Sequence, residues 1–199
     1  MFGLQKDIRS FSDEALMQLL STRRCNEALT EIHARYSKKV LGFFLRMTKG
    51  NEEKSQDLVQ DLFLRILEKQ HLFDPTKRFY TWMFAIASNM VKTTYRQKIH
   101  EGIEEGNKAF DFHHDFSDNR LDREVFQRLL KEAIEKLEAH HRLAFVLRYM
   151  EELSVKEIAE ILELPEGTVK SRLFYATKKI MRALNEFTPE HPGQHFKLT

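Results

Sequence analysis

A single cysteine, Cys25, stands in a chain of 199 residues, so no internal disulfide can staple the fold and the usage suits a reducing compartment. Glycine and proline are also scarce, at seven and four. With so few breakers, and apolar residues recurring at helical spacing nearly everywhere, an all-α class is expected and a β architecture has almost no support. No apolar run approaches the roughly 18 residues that a membrane-spanning helix needs. Met1 to Ser12 lacks the apolar core of a signal peptide, which makes a soluble, cytoplasmic protein the expectation. Charge of one sign is lacking as well: the formal net charge is only +2, so any binding to a polyanion must come from local basic faces. HExxH, a phosphate-cradling glycine loop, CxxC and GxSxG are all absent, so neither catalysis nor a cofactor is expected. The nine histidines include the pairs His113-His114 and His140-His141. Adjacent histidines do not share a helix face, and no cysteine or carboxylate cluster completes a site, so no metal is expected.

Helical patterning falls into blocks: Ser12 to about Arg23, Glu27 to Lys49 ending at Gly50, Glu53 to Gln70 before Asp74-Pro75, and Phe79 to Lys98. The pattern then breaks. Glu101 to Asp118 carries six acids and one lysine, a net charge of −5, with Phe110, Phe112 and Phe116 interspersed. Helical spacing resumes at Leu121 to Leu137 and His140 to Met150, and the tail from Thr188 is polar. The expected layout is a helical domain over 1–98, an acidic linker over 99–120, a second helical domain over 121–187 and a frayed tail over 188–199.

The strongest local signal lies in Glu152 to Leu184, which reads as two helices joined by a turn. Ser154 is an N-cap candidate with Glu157 three residues on, the spacing of a capping box, and Val155, Ile158, Ala159 and Leu162 follow at helical intervals. Pro165 and Gly167 are expected to stop that helix and turn the chain. At about 100° per residue, Val169, Leu173, Ala176, Ile180 and Leu184 share one face of the second helix, and Thr168, Ser171, Arg172, Tyr175 and Lys179 share another. A core helix needs only the first stripe. Hydroxyl, guanidinium and ammonium groups gathered on the other are what a major-groove reader requires.

Phe79 to Lys98 carries a second basic face. Phe79, Trp82, Met83, Ile86 and Met90 are spaced to be core, while Arg78, Thr81, Asn89, Lys92 and Arg96 lie elsewhere, and Arg78 to Lys98 contains no acid. These charges suit a phosphate track. The nearby aromatics Phe73, Tyr80 and Phe84 are candidates to meet unstacked bases, although aromatics at such spacing are more often core.

Three stretches, DLVQDLFLRILEKQ (Asp57 to Gln70), FYTWMFAIASNM (Phe79 to Met90) and LEAHHRLAFVLRYMEELSVKEIAEILELPEGTVKSRLFYATKKI (Leu137 to Ile180), together resemble the bacterial sigma-70 family. More narrowly they resemble its compact extracytoplasmic-function group, which keeps only conserved regions 2 and 4. The resemblance runs from about Ser12 to Leu184 in the family's order and spacing. It implies a polymerase specificity subunit, with core RNA polymerase (clamp coiled coil and flap), promoter DNA and an anti-sigma factor as partners. By position, Asp57, Gln60, Asp61, Phe63 and Leu67 match the helix that docks on the clamp. Phe73 and Asn89 match positions lining a pocket for a flipped-out base in the minus-ten element, where extrusion costs a few kcal/mol in unstacking. Arg148, Lys170, Ser171, Arg172, Phe174 and Tyr175 match the minus-thirty-five contacts. Arg172 is the candidate for a bidentate base contact, and Lys170, Lys178 and Lys179 for phosphates. Tyr175 and Thr177 depart from the family, standing where arginines are common; Lys178 and Lys179 are the substitutes at hand. The acidic linker matches a segment that threads the polymerase's RNA path, where its charge would imitate nucleic acid. The rival reading is a two-domain regulator that binds operator DNA alone through its helix-turn-helix, for which neither the clamp-docking helix nor the aromatic-basic helix is needed.

Overall fold

The computed structural model describes residues 8–23, 25–101 and 121–187, and each regular element within them is helical. The expectations for the acidic segment beyond Glu101, for His113-His114 and for the tail from Thr188 lie outside the described residues. After a short 3-10 turn at Ile8–Ser10 come α1 (Asp13–Arg23), α2 (Asn26–Met47), α3 (Glu52–Lys69) and α4 (Phe79–Glu101). The second set is α5 (Leu121–Glu135), α6 (Ala139–Phe145), α7 (Val155–Leu162) and α8 (Glu166–Phe187). Helix α4 therefore continues a few residues past the expected end of the first domain at 98.

Local chemistry sets the boundaries. Helix α2 ends where Lys49 and Gly50 take positive φ of 58° and 80°, and the Gly50 amide returns to the Leu45 carbonyl at 2.8 Å. Asn51 then caps α3, its side chain accepting from the Lys54 amide at 2.9 Å. The start of α4 is capped from another helix: Glu14 of α1 accepts from the Phe79 amide at 3.0 Å. Asp13 holds α1 to α2 by accepting from Arg35 Nη1 at 2.7 Å and from the Tyr36 hydroxyl. The core beneath consists of Leu16, Leu20, Ile32, Phe43, Phe44, Leu62, Ile66, Phe79 and Phe84, all fully buried, with Phe43 and Phe84 meeting edge to face at 5.2 Å.

In the second set, the capping box at the start of α7 is present in full: Ser154 Oγ accepts from the Glu157 amide, and Glu157 Oε2 accepts from the Ser154 amide at 2.9 Å. The turn differs from the sequence expectation. Glu163, with φ 57°, makes the left-handed C-cap, Pro165 accepts from the amides of Thr168 and Val169, and Gly167 lies inside the first turn of α8. Pro165 suits a helix start because it has no N–H to leave unpaired, so the glycine is not needed for the bend. Of the predicted stripe, Val169, Leu173, Ala176 and Ile180 are buried and Leu184 is half-buried; in α7, Ile161 joins Ile158, Ala159 and Leu162 in the core while Val155 is half-buried.

The two sets pack on each other: α4 meets α7, α2 meets α5 and α6, and the buried side chains form one continuous cluster. Arg142 of α6, 2% exposed, donates to the Met47 carbonyl at the C-terminus of α2 (3.3 Å), to the Tyr95 hydroxyl (3.2 Å) and to its own Leu137 carbonyl (2.9 Å). Glu151 is buried nearby, where Tyr80 of α4 donates to its carboxylate at 3.2 Å and Arg46 of α2 lies 3.7 Å away. Burial raises the Glu151 pKa above 4.5, and the attraction of Arg46 and the Tyr80 hydrogen bond offset this only in part. A carboxyl whose pKa is raised by folding contributes stability below its unfolded pKa and loses it as pH rises through the folded value. Glu151→Gln keeps an acceptor for Tyr80 without the buried charge. Its Tm relative to the parent should therefore climb as pH is raised from 4 to 7; a Tm difference that stays flat across that range would remove Glu151 as the source.

Candidate nucleic-acid interface

Helix α8 presents its polar face to solvent. Lys170, Ser171, Phe174, Tyr175, Lys178 and Lys179 are exposed, and Thr168 and Arg172 are half-buried beside them. Arg148 is exposed as well and steadied by donating to the Leu153 carbonyl at 3.0 Å. Phe174, 62% exposed, packs edge to face on Tyr175 at 5.5 Å. An exposed aromatic pair with no core function supplies an apolar contact for a thymine methyl or a partner side chain. Two ammonium groups of this face already have carboxylate partners, Lys179 with Glu138 at 2.7 Å and Lys170 with Glu166 at 3.8 Å.

Behind this face is an open groove of about 900 Å³, whose walls include Tyr149, Val155, Leu173, Phe174 and Met181 with Lys170 and Lys178 at the rim. Sequence reasoning missed Tyr149 and Met181. Met181 is exposed although it directly follows a core residue, Ile180, and that position one step off the stripe was the available signal. An apolar floor with basic edges suits an amphipathic partner helix.

The second basic face is less open. Asn89 and Arg96 are exposed, but Arg78 Nη1 bonds Glu157 of α7 at 2.6 Å and Lys92 Nζ bonds the Leu162 carbonyl of α7 at 3.3 Å. Burial lowers the Lys92 pKa, with the nearby charge of Glu163 opposing the shift. The aromatics divide. Phe84 is fully buried and belongs to the core, a correction to its candidacy for base capture, because its ring fills the space between Phe43 and Tyr80. Phe73 remains half-buried against Phe79 and Trp82 at the lip of α4.

On α3, Asp57, Gln60, Asp61 and Leu67 are exposed in one row. Phe63 is not: it is 7% exposed and its ring sits 4.5 Å from that of His33, so it supports the helix from beneath. Leu64, 57% exposed, occupies the outward place instead, one residue round the helix from the expected position. The histidine pair also departs from expectation. At the first turn of α6, Glu138, His140 and His141 bring ligand atoms within 4.8 Å of one another. Glu138 Oε2 faces both imidazoles, while its Oε1 holds the Lys179 ammonium at 2.7 Å.

Two family models match the chain: "Sigma-70 region 2" over residues 32–99 and "Sigma-70, region 4" over residues 127–180. The chain therefore belongs to the sigma-70 family of RNA polymerase sigma factors. Its similarity to curated relatives places it in the extracytoplasmic-function group. It is 28% identical over 170 residues to the ECF RNA polymerase sigma factor SigW of Bacillus subtilis, covering 80% of this chain and 90% of the relative. It is 28% identical over 179 residues to the ECF RNA polymerase sigma-E factor of Haemophilus influenzae, covering 85% and 93%. The fold is shared with the sigma factor RpoE of Bartonella quintana, solved with the anti-sigma factor NepR, at a TM-score of 0.66 and 22% identity over 78% of this chain and 96% of that one.

The geometry of α8 separates Arg172 from Lys179. Arg172 lies in the first two turns, where side chains reach base edges, and Lys179 lies farther along. In polymerase-bound protein, Arg172→Ala should cost about 1 to 3 kcal/mol and relax preference at one promoter position. Lys179→Ala should weaken all sequences alike and lower the salt slope by about one. Promoter binding over a salt series on upstream-element variants measures both, and equal losses on every sequence for Arg172→Ala would demote it to a phosphate anchor.

Proposed function

We propose that this sigma factor binds core RNA polymerase through α3, opens the minus-ten element with α4 and reads the minus-thirty-five element with α8. The observation that carries this is the separation of three surfaces on three helices. Asp57, Gln60, Asp61 and Leu67 line α3, with Leu64 added; Asn89 and Arg96 mark the open part of the α4 face, with Phe73 half-buried before it; and Arg148 with the polar side chains between Thr168 and Lys179 forms the α8 face. An acidic and apolar row suits a helical partner, and basic rows with hydroxyls suit DNA. Residues 1–98 and 121–187 are the working domains in this reading, with 99–120 as the acidic connection and 188–199 as a tail.

The chain supplies positioning and recognition, with no catalytic group of its own, and it works beside polymerase in the cytoplasm. Among the described residues no helix is long and apolar enough to cross a membrane. Its partners are core polymerase, promoter DNA and an anti-sigma factor, for which the basic-rimmed groove on α8 is a docking place.

Runoff transcription with core polymerase on promoter DNA from the protein's own operon tests the reading directly: transcripts that require the chain are expected. Duplex binding without any polymerase-dependent transcript would make it an operator-binding regulator. Asp61→Lys should weaken core binding with the fold intact, because Asp61 is exposed on α3; equal co-purification with core polymerase would refute the α3 assignment. Asn89→Ala should reduce permanganate reactivity of the melted region more than closed-complex formation, and an unchanged footprint would take Asn89 out of melting.

A further inference from the structure

The histidine pair of α6 has no part in the surfaces assigned above, yet its surroundings are built. Glu138 is the N-cap of α6, with φ −59° and ψ 146°, but its carboxylate makes no cap hydrogen bond to the first-turn amides. It folds over the two imidazoles instead. Oε2 lies 3.6 Å from His140 Nε2 and 3.8 Å from His141 Nδ1, and the three ligand atoms fall within 4.8 Å of one another. The adjacent rings converge because they use different nitrogens, His140 the distal one and His141 the proximal one, with their centroids 4.1 Å apart. Tetrahedral bonds of about 2.0 to 2.1 Å place neighbouring ligand atoms about 3.3 Å apart, so the two gaps to the carboxylate need to close by only about 0.5 Å or less. His140, 48% exposed, has room to turn and supply the rest.

His141 adds an independent sign. Its side chain is 12% exposed, and Nδ1 is sealed from solvent with no hydrogen-bond partner among the described residues. A buried ring nitrogen without a partner is costly, and an ion aimed at by two further ligands satisfies it. Burial and the neighbouring His140 hold the His141 pKa below 6.5 against the pull of Glu138, so the neutral ring, the form that ligates, prevails at neutral pH. The other carboxylate oxygen is also provided for. Oε1 accepts from Lys179 Nζ of α8 at 2.7 Å, and a ligating carboxylate is ordinarily fixed by a hydrogen bond of this kind. The His141 ring lies 6.0 Å from that of Tyr175, one turn earlier on α8.

We infer that Glu138, His140 and His141 form a binding site for a divalent transition-metal ion, zinc above all. Two imidazoles and one carboxylate are borderline donors, which select zinc and its neighbours over calcium or magnesium, ions that prefer oxygen ligands throughout. Three protein ligands leave a fourth position for water. Bound there, the ion ties the first turn of α6 to α8 through the carboxylate shared with Lys179, and it stabilises the second helical set. The site stands apart from the assignment of α8 to DNA, and its test needs neither polymerase nor promoter.

Metal-free full-length chain is titrated with zinc against a chromogenic chelator, and with cobalt(II) for its visible spectrum. One zinc per chain is expected, and cobalt should show the intense visible bands of four-coordinate geometry. His140→Gln and Glu138→Gln, both at exposed side chains, should each weaken zinc by at least about tenfold while the circular dichroism stays that of the parent. Replacing His113 and His114 together by glutamine, or Cys25 by serine, should leave the affinity unchanged. In long-range proton–nitrogen spectra, zinc should shift Nε2 of His140 and Nδ1 of His141. Saturating zinc should raise the Tm of the parent and leave that of His140→Gln where it was. Unchanged affinity in His140→Gln and Glu138→Gln, loss of binding on replacing His113 and His114 instead, displacement of zinc by an equal concentration of calcium, or equal Tm responses in parent and His140→Gln would overturn the proposal. Uptake of several weakly held ions that no replacement alters would be adventitious binding only, and would overturn it equally.

Discussion

The arrangement of the two helical sets depends on one sealed guanidinium. Arg142 leaves α6, crosses the boundary and donates to the last carbonyl of α2, that of Met47, and to the Tyr95 hydroxyl, which itself donates to the same carbonyl. A buried arginine is tolerated only where several acceptors replace its water. Among the described residues no carboxylate pairs with it, so the acceptors are dipoles: the Met47 carbonyl at the negative end of α2 and the Leu137 carbonyl before α6. Separating the domains would strip it of two of these partners. The contact between Arg46, Tyr80 and Glu151 and the pair formed by Arg78 and Glu157 extend the boundary from that fixed point.

A reciprocal pattern joins the halves. The second domain gives a cation, Arg142, to the C-terminus of α2, and the first gives a cation, Lys92, to the C-terminus of α7. Each helix end presents carbonyls with no partner inside its own helix, so the two domains satisfy one another's unpaired groups. The same positions explain why α4 is buried over so much of its circumference. It packs against α1 and α3 on one side and against α7 on the other, which is why Phe84, Ala87 and Val91 are buried along with Phe79, Met83, Ile86 and Met90 of the predicted stripe, while Trp82 is half-buried.

Much of this was legible in the residues. The capping box at Ser154 and Glu157, the buried stripe from Val169 to Ile180 and the open polar face of α8 follow from helical periodicity alone, because a short two-helix unit has one core and one free side. The errors share a cause: periodicity locates a stripe but not what lies across from it. Phe63 and Leu64 are neighbours, and which of them points outward depends on where α2 crosses, as the contact of Phe63 with His33 shows. Phe84 looked available until Phe43 met it. Gly167 drew attention as a breaker, whereas the chain turns on Glu163, a residue with no special propensity for positive φ, held by the Leu164 amide returning to Ala159 at 3.0 Å. The boundary between domains was the least legible feature, since its hydrogen bonds join residues 47 to 95 positions apart.

The boundary is unevenly wet. Arg142 is sealed at one edge, but Arg78, 69% exposed on its side chain, faces water at the other. Mobile ions screen charges over roughly 8 Å at physiological ionic strength and act far more on an exposed pair than on a buried one. Rising salt therefore slackens the rim formed by Arg78 and Glu157 and leaves the guanidinium of Arg142 in place. The joint is thus held at one edge by contacts that salt does not reach and at the other by one that it weakens.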